Sequence, residues 1–107
     1  MKTSTAQRNG ISRKDRDIQF FFDLIEDFIF ILDLSGKVLF TNRTVEKRLD
    51  YSLEELLEMN VLELYPLEKR NEAELIVREM MEGKGDICPI PLITRSGDQI
   101  PVETRIS

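Results

Sequence analysis

The sequence predicts an α+β domain: an antiparallel sheet with helices packed on one face. Three observations predict it. Two β-rich runs, Phe28–Leu32 and Val38–Phe40, flank a Ser35–Gly36 turn in the stretch FIFILDLSGKVLFTN, the pattern of a β-hairpin. Helical spacing and capping signals then occupy Arg43 to Glu82. A second pair of β-rich runs, Ile87–Thr94 and Gln99–Ser107, closes the sequence around Ser96-Gly97-Asp98. The order strand, strand, helices, strand, strand is that of an α+β fold.

Composition sets the bounds. The 107 residues, 41% hydrophobic and 33% charged, suit one domain with one modest core. The net charge of −5 argues against direct nucleic-acid binding, whose surfaces are usually basic. One Cys and no His exclude an intrachain disulfide and remove imidazole from every catalytic or metal proposal. The lone Cys fits a reducing compartment, and the expected location is cytoplasmic. The longest apolar-looking stretch, Phe20–Leu34, carries four acids and is too short to cross a bilayer. No membrane contact is expected from this segment.

Residues 1–17 are polar and read as a flexible leader or linker, with the domain proper over residues 18–107. Ile18 to Asp27 reads as a short helix carrying two adjacent apolar stripes, Ile18, Phe21, Phe22 and Ile25 beside Phe20 and Leu24. One stripe can pack on the sheet. The other either widens that into a single core face or marks a homodimer contact, for which Ile18, Phe20, Phe21 and Leu24 are the candidate residues. The five apolar residues of Phe28–Leu32 imply a strand covered on both faces.

Asn42 stands before Arg43–Leu49 and is the expected side-chain N-cap of that helix. Val45 and Leu49, four apart, should face inward. Ser52 and Glu55 form a capping box for a helix reaching about Met59. Pro66 suits the first position of the next helix. That helix runs to about Glu82 and ends at Gly83, a C′ glycine. Its inward stripe is Ala73, Ile76, Val77 and Met80, with Glu74 and Arg78 paired on the wet side. Pro89 and Pro91 lie two apart, so both missing N–H donors fall on one edge, as suits an outer strand.

No enzymatic constellation is visible. Asp33 and Glu103 are carboxylates without a partner base, and no nucleophile–base pair, metal cluster or phosphate loop occurs. No catalytic and no metal-binding residues are assigned.

Three segments, FIFILDLSGKVLFTN, DYSLEELLEMNVLELYP and LITRSGDQIPVE, taken in this order and spacing, resemble the PAS family of sensor domains, close to its S-box type. Asp50 replaces the Gly that usually precedes Tyr51-Ser52. The resemblance implies a five-stranded antiparallel sheet, four strands of which are visible here, with helices on one face enclosing a pocket. It also implies a regulatory sensor or dimerisation module of a signal-transduction protein such as a two-component sensor histidine kinase. That module would act on an effector domain of the parent protein, with a small apolar ligand as a possible partner. A transcription-regulator sensor domain and a ligand-free interaction scaffold are the alternatives. The candidate pocket residues are Phe30, Leu32, Val45, Leu49, Val61, Leu64, Ile76, Met80, Ile90, Leu92 and Val102; the simpler reading is that they fill the core. No cofactor is expected. Haem is disfavoured because there is no His. A covalent flavin adduct is disfavoured because Val61 stands where flavin photosensors carry their Cys, and Leu92 and Val102 stand where they carry amides. Cys88 reads as a small buried hydrophobe.

The family's final strand lies between the first and fourth, and its counterpart is expected beyond residue 107. Such a gap would leave two rows of unpaired backbone groups. The expectation is closure by a strand of a second chain, or by direct pairing of the first and fourth strands.

Overall fold

The computed structural model describes residues 2–7, 20–21 and 23–106. Six strands appear among them: β1 (Lys2–Gln7), β2 (Phe28–Leu32), β3 (Val38–Thr41), β4 (Leu92–Ile93), β5 (Gln99–Ile100) and β6 (Val102–Ile106). Between β3 and β4 lie α1 (Arg43–Leu49), α2 (Leu53–Leu56), two 3₁₀ helices (Val61–Leu64 and Leu67–Lys69) and α3 (Arg70–Met81).

The main sheet has the order β3-β2-β1-β6, and β4-β5 form a separate pair. The expected β2–β3 hairpin is antiparallel, with Phe30 opposite Thr41 and a bulge between Ile31 and Leu32. All five β2 residues are buried, in line with a strand covered on both faces. Phe28, Phe30 and Leu32 join the main core, whereas Ile29, Ile31 and Phe40 are buried outside that cluster.

The central slot departs from expectation. Residues 2–7, read from composition as leader, form β1 between β2 and β6 and pair in parallel with both. The gap is therefore not closed by direct pairing of the strands that flank it, and the sheet is mixed rather than purely antiparallel. The physical reason is the cost of two open ladders: a six-residue segment of almost any composition that satisfies both is retained. Residues 8–19, including the rest of the expected leader and Ile18, lie outside the described residues.

The expected strand Ile87–Thr94 is also shorter. Only Leu92–Ile93 is a strand, with an isolated bridge at Cys88↔Thr104. One antiparallel register nonetheless runs through Cys88↔Thr104 and Leu92↔Ile100. In that register Pro89, Pro91 and Pro101 fall at positions that do not bond across the pair. Proline is tolerated there because those positions owe the pair no N–H donor.

Helix boundaries follow the caps. Ser52 and Glu55 make the full capping box, with Ser52 Oγ accepting from Glu55 N at 3.1 Å and Glu55 Oε1 accepting from Ser52 N at 3.0 Å. The α-helix stops at Leu56, short of the expected Met59. Pro66 is the N-cap of the second 3₁₀ helix rather than its first residue. The end of α3 is a Schellman motif: Lys84 N donates to Glu79 O at 2.8 Å and Gly83 N to Met80 O at 3.1 Å, with Gly83 at φ +79°. The helix expected over Ile18–Asp27 ends sooner than that. Phe20, Phe21 and Asp23 are helical, and the chain leaves the helix before Ile25.

The core lies between the sheet and the helices. Val45, Leu49, Leu56, Leu64 and Ala73 meet Phe28, Phe30 and Val102 there, all essentially without solvent exposure. Each large apolar side chain so buried contributes about 1.5–3 kcal/mol relative to exposure.

Candidate functional site

The eleven candidate pocket residues come together. Phe30, Leu32, Val45, Leu49, Val61, Leu64, Met80, Ile90, Leu92 and Val102 are buried in one cluster, and Ile76 packs half-buried against it. They touch one another as core residues do.

A polar island sits inside this core. The Tyr65 hydroxyl donates to Thr104 Oγ1 at 3.3 Å, beside the buried Cys88. Burial pushes the Tyr65 phenol well above its usual range, and the neighbouring Cys88 adds to the rise. The bridge Cys88 N→Thr104 O (2.8 Å) and Thr104 N→Cys88 O (2.9 Å) fixes both partners. Tyr65 thereby pins the helical layer to β6. Thr41 Oγ1, also buried, has no hydrogen-bond partner among the described residues.

An open groove of about 460 Å³ lies at the end of α3 against the β2–β3 turn. Its walls include Leu34, Asn60, Val61, Val77, Arg78 and Met81. Of the expected pocket residues only Val61 borders it. Asn60 shapes one wall: its Nδ2 donates to Ser35 O at 2.8 Å, and its Oδ1 accepts from Leu62 N at 3.0 Å. Gly36, at φ +89°, lets the turn approach, since a Cβ there would stand 3.0 Å from Asn60 Oδ1. Asp33 Oδ1 holds the turn, accepting from Ser35 Oγ (2.7 Å), Ser35 N (2.9 Å) and Lys37 N (2.9 Å). The Ser35 hydroxyl and the Lys37 amide lower the Asp33 carboxyl below its ordinary value. This carboxylate organises a turn. Glu103 stands 4.0 Å from Arg105 on the exposed side of β6.

The candidate interface residues are on the surface. Phe20, Phe21 and Leu24 are 61%, 63% and 65% exposed, and Ile25 is 40% exposed. The two phenyl rings pack edge-on at 5.8 Å. Ile18 lies outside the described residues.

This patch is clasped to the core through Asn42. The residue occupies the N-cap position of α1, but its side chain makes no capping bond. Fully buried, it donates instead through Nδ2 to Ile25 O (3.1 Å) and Asp27 O (2.8 Å), and its Oδ1 accepts from Ile29 N (3.1 Å). The expected capping role gives way because two carbonyls and an amide of the incoming chain compete for the same amide group in a dry site, where an unmade bond is costly. Thr44 Oγ1 donates to Ile25 O at 2.7 Å, and Arg43 N to Asp23 Oδ1 at 2.8 Å. These partners lie 13 to 20 residues away in sequence, so no local pattern announces them.

A family model described as the PAS fold matches residues 16–107. The chain belongs to the PAS family. This PAS domain is similar to the solved PAS domain of a Desulfitobacterium hafniense protein, at 36% identity over 77% of each chain with a TM-score of 0.70. It is also similar to a domain of a sensory box sensor histidine kinase/response regulator from Geobacter sulfurreducens, at 23% identity with a TM-score of 0.68. That match covers 84% of this chain and 79% of the other. A PAS domain from a two-component sensor histidine kinase matches at 18% identity with a TM-score of 0.71, over 84% of this chain and 78% of that one. Comparison with proteins of curated function gave no match. No described helix of the PAS domain is long and apolar enough to cross a membrane.

Proposed function

We propose that this PAS domain is a regulatory sensor and dimerisation module of a signal-transduction protein such as a sensor histidine kinase. The observation that carries the reading is the exposed patch of Phe20, Phe21, Leu24 and Ile25, held to the core by the Asn42 clasp. Contiguous exposed apolar side chains mark contact surfaces. A patch hydrogen-bonded to a packed core moves with that core. Two such patches form a homodimer, and a shift in the core re-aims them toward an effector domain. The two histidine-kinase domains of similar fold support this setting. The role is regulatory rather than catalytic, and the compartment is the cytoplasm, in keeping with the single buried thiol.

A second reading concerns the ligand. The candidate pocket residues pack on one another, which favours relay through a filled core. A small ligand of apolar body then has the groove beside Val61 and Met81, whose volume lies within the range of small-molecule sites. Native mass spectrometry tests both readings. The expected species is a dimer; a monomer at every concentration sinks the dimer. A co-purified adduct released only on unfolding would favour the ligand reading over relay through a filled core. A thermal-shift screen against small metabolites separates sensor from scaffold, because a ligand bound only by the native state raises its stability.

The domain is proposed to hold neither haem nor a covalent flavin, on the absence of His and on the buried Val61, Leu92 and Val102. Freshly purified protein should have no Soret or flavin absorbance. Either band contradicts the proposal.

A further inference from the structure

The groove at the end of α3 has an apolar floor and a charged rim. Val61 and Val77, both buried, form the floor, and Leu62 and Met81, half-buried, extend it. Leu34 stands at the lip and is 78% exposed, more than any other large apolar residue described. The turn that carries it is held by Asp33 through Ser35 and Lys37, and nothing in that arrangement calls for an apolar side chain at position 34. A body of apolar chemistry lying on the floor would cover Leu34 and remove its surface from water, which is favourable.

The rim decides the charge of such a ligand. Among the described residues that line the groove are two carboxylates, Glu74 and Glu82, and one guanidinium, Arg78. The guanidinium is already matched, with its Nη2 at 2.7 Å from Glu74 Oε1. Glu82 is held less closely, at 3.7 Å from the Lys84 ammonium. α3 also ends here, at Met81, and the C-terminal end of a helix carries a partial negative charge that favours cations. An anion entering the groove would compete with Glu74 for Arg78 and would face Glu82. A cation meets Glu82 and the helix end. The net charge of −5 acts in the same sense over the whole surface.

We propose that this groove takes a small organic cation: a protonated amine on an apolar body, with the amine at Glu82 and the end of α3 and the body over Val61, Val77 and Leu34. The choice of charge rests on the groove being the ligand site, as in the proposed function, but the two fail separately. A groove that binds without regard to charge remains a ligand site and loses only the cation.

The test uses octylamine, octanol and octanoate, which share a chain length and differ in head-group charge at neutral pH. Each is titrated, below its micellar range, into the isotope-labelled full-length chain, and backbone amide shifts in NMR spectra locate and measure the binding. The expected result is movement of the Gly36, Val61 and Glu82 amides, with octylamine bound about fivefold or more tighter than octanoate and octanol between them, because the two charged head groups change the rim contacts in opposite senses. Added salt should narrow that gap. The Glu74→Gln/Glu82→Gln variant changes two solvent-accessible side chains and should lose the preference for the amine while keeping its affinity for octanol. If octanoate binds in the groove as tightly as octylamine, or if the preference survives in the variant, the cation is overturned and the groove stands as a site for an apolar body alone. If no probe moves the groove amides, or if the shifts centre on Phe20 and Phe21 or on the core, the groove is not the ligand site and both readings of it are overturned, with the dimer untouched.

Discussion

Asn42 and Thr41 are adjacent, both fully buried, and opposite in their hydrogen bonding. Asn42 satisfies two carbonyls and one amide of the segment that enters β2. Its removal strands those groups in a dry site. Asn42→Ala should therefore destabilise the domain by about 2–3 kcal/mol, and Thr44→Ala, at the partly exposed end of the same clasp, by about 1 kcal/mol or less. Urea denaturation measures both. An Asn42→Ala loss no larger than that of Thr44→Ala contradicts the clasp. Thr41 Oγ1 has no partner among the described residues, so Thr41→Val exchanges an orphaned hydroxyl for a methyl of the same shape. It should stabilise by about 1 kcal/mol; a loss of similar size would mean that the hydroxyl has a partner after all. Neither role could be read from sequence. Residue 42 was legible as a helix boundary, but its side-chain partners are set by how the chain returns from Ile25, and only the fold makes that known.

Among the elements, the ones with an apolar period or a cap were legible. The β2–β3 hairpin was readable from its apolar runs and Asp33–Gly36 turn. The capping box at Ser52 and the Gly83 stop follow from local chemistry that tertiary context did not override. β1 was illegible because KTSTAQ has no alternation of apolar and polar residues; its strand state comes from the two ladders that receive it. The Ile87–Thr94 run looked like one strand because its β-propensity is continuous, whereas the observed pairing is confined to Leu92–Ile93 and the Cys88 bridge. Arg95, at the turn after β4, ties the second hairpin to α2. Its guanidinium pairs with Glu55, donates to Asp50 O at 2.9 Å and lies over the Tyr51 ring at 4.6 Å from the centroid. The hydrogen bond from Arg95 is the largest cause holding the Glu55 carboxyl at about 2, below its ordinary 4.5, with the Ser52 amide next. A depressed carboxyl stabilises the fold above the unfolded value and loses that contribution as pH falls through the folded one. Glu55→Gln should thus be less stable than wild type at neutral pH, with the difference shrinking from pH 4.5 and gone near pH 2. Denaturation at three pH values measures it. A difference independent of pH contradicts the pair.

For the whole molecule, family membership was legible from the order and spacing of three segments, none specific alone. The central claim is that Phe20, Phe21, Leu24 and Ile25 form a dimer contact tied to the core. Their exposure in the single chain separates association from folding. Charges placed there are cheap in the monomer, within about 0.5 kcal/mol for surface positions. The same charges buried at the centre of a dimer contact should weaken association by about tenfold or more. Light scattering over a range of concentrations, on wild type and on the Phe20→Glu/Leu24→Glu variant, measures this directly. The account predicts a wild-type dimer of two 12.5 kDa chains and a folded, monomeric variant. A wild type that stays monomeric at high concentration, or a variant that dimerises as tightly as wild type, would contradict it.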